Sequence, residues 1–286
     1  MKRSLIFASR NLKEIIRDPL SLIFNLIFPI ALLVLFFCFV FGKNEETILK
    51  QMPMFAPNKI VPAIAYFGFT FLTLFVGMLV SKDRTSSFTA RLKSSPLKPY
   101  EFFLGYAIPM IIIAFIQIVV VYVLGYLLSF AVPAEGLRFN LFSGNILLSI
   151  VIALPMALFY IALGIFLGTL ISDKAIGGVA SIIVNVATIT GGIFMPLAIM
   201  GGFKIVCQVL PFYHSVSLIQ DASIGIWPSS VEHYDGIKHM YELMGMNATY
   251  NIMDTWFVHI IYSYVFIVVM IVISILMFKK KMKSDK

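Results

Sequence analysis

Charged residues in this chain are clustered, and between the clusters run apolar blocks of about 20 to 30 residues. About 20 apolar residues of α-helix cross a bilayer core of roughly 30 Å. The blocks therefore predict membrane-spanning helices and exclude an ordinary soluble domain. Composition agrees: 60% of residues are hydrophobic and only 13% charged, against about 25% charged in soluble domains. The 27 Phe and 15 Met then serve as lipid-facing and packing residues and call for no cofactor. A net charge of +8 and a pI near 9.4 would point to nucleic acid in a soluble protein. In a membrane chain the flanks of the spans account for it, so no nucleic-acid partner is expected.

The blocks cover residues 19–42, 60–80, 102–132, 145–172, 175–200 and 256–278, giving six spans. A further apolar stretch, 203–226, is interrupted by Lys204, Pro211 and Asp221. It is too broken to cross as one helix and predicts a re-entrant hairpin over 201–226, followed by an extracellular loop over 227–255. Six spans put both termini on one side. With the termini, the loop after the second span and the turn after the fourth assigned to the cytoplasm, 16 of the 22 Lys and Arg lie inside. Outside, acidic residues outnumber basic ones 8 to 6. The positive-inside rule thus places both termini in the cytoplasm. The expected fold class is an all-α membrane protein: a surface helix over 1–18 and a six-span transmembrane domain over 19–286.

The first 18 residues lack the short apolar core and cleavage site of a signal peptide. At 100° per residue, Leu5, Ala8, Leu12, Ile15 and Ile16 share one stripe, while Arg3, Arg10, Lys13 and Arg17 lie opposite. Such a helix is expected to lie along the inner membrane surface; Ile6 and Phe7 fall off the stripe. The two cysteines, Cys38 and Cys207, exclude a disulfide framework and read as free thiols.

None of the six spans carries an Asp, Glu, Lys, Arg or His in its middle third, where each ionised group would cost about 3 kcal/mol or more. That argues against an ion-coupled carrier and against a pore with a charged ring. No H-E-x-x-H pair, Gly-x-Ser-x-Gly elbow or G-x-x-x-x-G-K-[ST] loop is present. Glu232, His233, His239 and Glu242 share one loop but match no ligand spacing. We therefore expect no catalytic residue, metal site or cofactor in this chain; if transport is ATP-driven, ATP and Mg are bound by a separate ATPase.

The cytoplasmic loop over 81–102 is short, basic and closed by Pro96, Pro99 and Glu101. Phe88, Leu92 and Leu97 are apolar at near-helical spacing where solvation is expected, which suggests a docking surface for another protein. Asp83-Arg84, Ser86-Ser87-Phe88, Arg91-Leu92, Ser95-Pro96 and Gly105 in this loop, with the run Gly191-Gly192, Phe194-Met195-Pro196, Leu210-Pro211 and His214 later on, are similar to the permease subunits of type 2 ATP-binding-cassette (ABC) exporters. Ser86 stands where that family usually has Gly, Asp83 where it has Glu, and Gln220 where it often has Arg. The resemblance implies a coupling helix in this loop that sits in a cleft of the ATPase, with Asp83, Arg84, Phe88, Arg91, Leu92, Ser95, Pro96, Leu97 and Glu101 as coupling residues. It also implies two ATPase subunits, a second permease copy or a related permease, outward transport, and a hairpin that caps the outer end of the pathway.

Gly164 and Gly168 form a small-x-x-x-small pair that lets a neighbouring helix approach closely. Asn185, Thr188 and Thr190 give the fifth span a polar stripe that either lines a pathway or bonds an adjacent helix. Gly191, Gly192, Pro196 and Pro211 mark where helix geometry breaks, and join Asn185 and Thr188 as pathway or gate candidates. The apolar lining suits drugs, lipids or peptides, and short loops suit a bacterial plasma membrane. Two other readings share these residues: a membrane anchor that recruits a cytoplasmic protein without transport, and an ATP-independent carrier.

Overall fold

The computed structural model describes residues 2–18, 23–40, 57–85, 98–130, 139, 141–193, 200–224 and 256–284. Among them every regular element is helical: α1 (Lys2–Arg17), a π-helical turn (Ile23–Ile27) leading into α2 (Phe28–Val40), α3 (Pro57–Thr85), α4 (Pro99–Ser129), α5 (Gly144–Leu170), α6 (Asp173–Thr190), α7 (Phe203–Val209), α8 (Pro211–Ile224) and α9 (Trp256–Ser284). Five of these, α3, α4, α5, α6 and α9, are long and apolar enough to cross a membrane, and α2 contributes a shorter apolar helix over Asn25–Cys38.

Helix α3 is the centre of the bundle. Its most apolar window is 89% buried, against 28% in α6 and 17% in α9. It packs against α5 most extensively, then α6, α4, α8 and α2. The α3–α5 contact is close because both faces are small. A Cβ on Gly164 would lie 2.6 Å from the Thr73 carbonyl oxygen, and one on Gly168 would lie 2.6 Å from that of Gly77. Helix backbones approach this closely only where no side chain intervenes. The approach also brings polar groups into reach: Thr73 Oγ1 donates to the Tyr160 carbonyl at 3.1 Å, and the Tyr160 hydroxyl donates to Tyr66 at 2.9 Å. In α4 the Gln117 amide donates to the Ala65 carbonyl at 2.8 Å, in the space that Gly68 leaves open.

In the fifth apolar block, 175–200, helix α6 ends at Thr190. Gly191 caps the helix, and Gly192 takes φ 68°, a left-handed turn that suits glycine. The broken stretch after it forms α7 and α8, separated at Leu210 because Pro211 has no N–H to continue the ladder. Helix α8 packs against α5, α3 and α9.

Helix α1 is turned about its axis by about 80° from the sequence expectation, at 100° per residue. The buried face is Ser4, Phe7, Ala8, Asn11 and Ile15, while Leu5, Ile6 and Ile16 are exposed. Phe7, expected off the stripe, is buried because it fills the notch left by Gly105 in α4. There it meets Tyr106 and Phe102 edge-on, at centroid distances of 4.9 and 5.9 Å.

The glycine contacts give a signed expectation. Gly164→Ala and Gly168→Ala should each destabilise by about 1–3 kcal/mol, because the obstructing atoms are backbone and do not retreat. Gly177→Ala, with nothing within 4 Å of its Cβ, should instead stabilise by about 0.5–1 kcal/mol through helix propensity. Thermal unfolding of the three variants in detergent checks both signs.

Candidate functional site

The loop that the sequence marks as a docking surface, 81–102, is narrower in the structure: 81–85 belong to α3 and 99–102 to α4, which leaves residues 86–97 and the cap residue Lys98 between them. Phe88, Arg91, Leu92, Ser95, Pro96 and Leu97 lie there, outside the described residues. Its two stems are described, and α1 and α5 hold them. On the α3 stem, Asp83 is buried and accepts both guanidinium nitrogens of Arg10, each at 2.8 Å. The Tyr106 hydroxyl of α4 donates to the same carboxylate at 2.9 Å. Three helices thus converge on one carboxylate. The hydrogen bond to Asp83 raises the Arg10 guanidinium above its usual pKa, against burial, which lowers it; the group is charged at every relevant pH.

Around this clasp, Arg10 also meets Glu14 at 2.9 Å, and Glu14 meets Lys82 at 3.1 Å. The Asn11 amide donates to the Gly105 carbonyl at 3.0 Å. The next residue of the stem, Arg84, reaches the last turn of α5, where it donates to the carbonyls of Thr169 and Ile171 at 2.6 and 2.7 Å. Ser81 donates to Ile171 as well, at 3.1 Å. Arg84 therefore caps α5, supplying donors to carbonyls that the helix leaves unpaired. On the other stem, Glu101 caps α4: its carboxylate accepts the Lys98 backbone N–H at 2.8 Å. A bidentate arginine–carboxylate pair fixes orientation as well as distance, so the stems form one block with α1 and the end of α5.

At the opposite end of α3, helix α8 is stitched to its neighbours by polar contacts. Gln220 donates to the Lys59 carbonyl at 3.3 Å, and Ser223 donates to the Asn58 carbonyl. His214 meets His259 of α9, and Ser215 meets both Ser263 and Tyr66. Pro211 opens this helix.

Of the pathway candidates, Asn185 is exposed on α6 and Thr188 is half-buried. Both bond within their own helix: Asn185 donates to the Ser181 carbonyl at 2.9 Å and Thr188 to that of Val184 at 2.7 Å. These bonds leave an exposed α6 face of Gly178, Ser181, Ile182, Asn185 and Ile189. Pro196 and the loop 227–255, with Glu232, His233, His239 and Glu242, lie outside the described residues.

Sequence reasoning missed Arg10, Asn11 and Tyr106 as partners of the loop, placing Arg10 on the solvated side of α1. The signal present was Asn11, a polar residue beside an apolar stripe with no reason to be there unless bonded. It also gave no role to His259 and noted His214 only within the hairpin motif, although both are buried and in contact.

Removing the carboxylate charge tests the clasp. Asp83→Asn should loosen α1 by about 2 kcal/mol, less than a fully buried pair costs because Arg10 is about one third exposed. Hydrogen exchange of α1 amides should then speed up by about 30-fold. Lys82→Ala, which breaks an exposed pair, should change it by less than about threefold.

The chain matches the family model described as ABC-2 type transporter over residues 4–223, more than three quarters of its length. No curated protein matches it. The match takes in α1, the clasped stems and the α7–α8 pair, and it ends at the close of α8. The chain belongs to the ABC-2 type transporter family, as a multi-pass transmembrane protein rather than a nucleotide-binding one.

Proposed function

We propose that the chain is the permease subunit of an ATP-driven exporter. In this reading α2, α3, α4, α5, α6 and α9 are six spans, α1 lies along the cytoplasmic surface, both termini are cytoplasmic, and α7–α8 is a re-entrant hairpin at the outer end. The membrane is a plasma membrane, and its short loops favour a bacterial one. The observation that carries the proposal is the clasp of Arg10, Asp83 and Tyr106, with Arg84 on α5. A docking loop transmits force only if its stems are rigidly joined to the helices that must move. Here a push on residues 86–97 reaches α3 and α4 directly, and reaches α1 and α5 through charge-assisted bonds worth roughly twice a neutral one.

The partners are two ABC ATPase subunits, which bind ATP and Mg, and a second permease copy or a related permease. The exposed α6 face supports the second copy. An asparagine facing lipid costs free energy even when its amide bonds its own helix, since part of its polar capacity stays unmet. A second copy, or a pathway between two copies, removes that cost, so Asn185 and Thr188 are placed at the pathway, with Gly191, Gly192 and Pro196 at its outer end. The cargo is hydrophobic or amphipathic, such as a drug, lipid or peptide, and moves outward.

The test is affinity purification in mild detergent with ATPase activity assayed in the eluate. Wild type should retain an ATPase, and the double substitution Phe88→Asp, Leu92→Asp should reduce it at least tenfold while the permease elutes at its folded volume. An ATPase retained equally by the variant would remove the coupling role of this loop. A permease that retains none under crosslinking would favour the anchor or ATP-independent carrier.

A further inference from the structure

Helix α8 meets α9 through two adjacent polar contacts in an otherwise apolar interface. His214 Nδ1 lies 2.8 Å from His259 Nδ1, and Ser215 Oγ donates to Ser263 Oγ at 3.1 Å. Both imidazoles are buried, at 0% and 2% exposure. The other ring nitrogen of His214, Nε2, lies 2.7 Å from the carbonyl oxygen of Gln208. A carbonyl only accepts, so the network assigns a hydrogen to His214 Nε2. Neutral His214 then offers a lone pair at Nδ1, and His259 donates its Nδ1–H into it.

Proton counting fixes what this contact tolerates. One added proton leaves a lone pair on one of the two facing nitrogens, so the bond survives and becomes charge-assisted. A second proton puts a hydrogen on both, and attraction turns to repulsion at 2.8 Å. We propose that His214 and His259 form a one-proton site that latches the α7–α8 pair to α9, and that uptake of a second proton opens it.

The rings around the pair suit the singly protonated state. Tyr213 lies 5.4 and 5.5 Å from the two imidazoles, and Tyr262 lies 4.5 Å from His214. Tyrosine faces attract a cation within about 6 Å. Among the described residues, the titratable groups toward this end of the elements packed here are Tyr213, Cys207, Lys204 and Asp221 on α7–α8, Tyr262 and Tyr264 on α9, Tyr160 on α5, and Tyr66 and Lys59 on α3; the charged groups at the far ends of α3 and α9 lie across the bundle. Asp221 is the competitor, because burial pushes its carboxyl up to about 6. Its sign is opposite. A carboxyl raised in the folded state stabilises that state fully below its unfolded value of about 3.9 and loses the contribution as pH rises through about 6. Acid therefore tightens α8 through Asp221 and loosens it through the histidines.

Opening exposes two imidazoles that both protonate below about pH 6.5, whereas the closed pair holds one proton at most. Through the histidines alone, the open population should thus rise about tenfold for each pH unit below about 6.5. That the relevant pH is the external one rests on the exporter topology proposed above; the latch itself does not.

The buried thiol of Cys207 reports opening. The full chain carrying Cys38→Ser, in nanodiscs without ATPase, is labelled with a maleimide from about pH 8 to about pH 5, each rate being normalised to the denatured chain at the same pH. In the Asp221→Asn chain, which lacks the opposing titration, normalised labelling should rise about tenfold per unit below about 6.5, and in the parent chain it should rise less steeply below about 6. His259→Gln added to Asp221→Asn, which keeps a donor and an acceptor but does not titrate, should hold labelling within about twofold. A flat profile in the Asp221→Asn chain, or a slope that survives His259→Gln in it, overturns the proposal. If that variant misfolds, histidine ¹⁵N resonances of the unsubstituted chain decide: joint titration of the two rings supports the latch, and independent titration refutes it. Neither readout involves an ATPase, so failure here leaves the exporter reading intact.

Discussion

Helices in a bilayer gain nothing from burying apolar surface against one another, since lipid is as apolar as they are. Close packing and bonds between polar groups must hold the bundle, and the contact of α3 with α5 supplies both. Gly164 and Gly168 admit the backbone of Thr73 and Gly77, and the same closeness lets Thr73 reach the Tyr160 carbonyl. Ile176 of α6 then lies against Gly77 from the other side. Four further elements lean on α3 because α5 has fixed it.

The polar residues divide by position. Those in the middle of the bundle donate across to neighbouring helices: Gln117 to the Ala65 carbonyl, Tyr160 to Tyr66, Ser274 of α9 to the Ala162 carbonyl at 2.7 Å. Those at the Asp83 end carry charge and join α1 to the rest. Charge is tolerable there because Arg10 and Lys82 still reach water, and the Asp83 carboxylate accepts three hydrogen bonds, two from Arg10 and one from Tyr106. A single charged group placed two turns deeper would lack that access.

Much of this architecture was legible because bilayer thickness is a strict filter. The apolar blocks at 60–80, 102–132, 145–172 and 256–278 correspond to α3, α4, α5 and α9, and Pro211 separates α7 from α8. Gly164 and Gly168 were readable as a packing pair, though not which helix they receive. What the sequence hid has physical causes. The π-helical turn at Ile23–Ile27 leaves no compositional trace. The rotation of α1 was misread because periodicity weighs all apolar residues alike, whereas Phe7 is selected by a notch at Gly105, ninety-odd residues away. Asn185 and Thr188 looked equally fit to bond a neighbour or to line a pathway; both turn out to bond their own helix, so the choice depends on what covers α6. His214 was noticed only as a motif letter, since its partner His259 lies in another span and nothing in spacing links them.

Helix α3 makes the two ends of the molecule mechanically answerable to each other. It is 29 residues long, about 43 Å at 1.5 Å per residue, and it has Asp83 in the clasp at one end and Asn58 and Lys59 against α8 at the other. In the proposed exporter a displacement of the loop stems has a direct route along this helix to the α7–α8 pair, without passing through the less buried α6 or α9. The route runs both ways, because coupling between two sites is reciprocal in free energy. Anything that holds α8 against α9 therefore biases the stems as well. The His214–His259 contact is weakened by gaining a second proton, whereas the Arg10 guanidinium keeps its charge in the clasp. The clasp is thus the constant joint of the molecule, and the far end of α3 is where its conformational balance is adjustable.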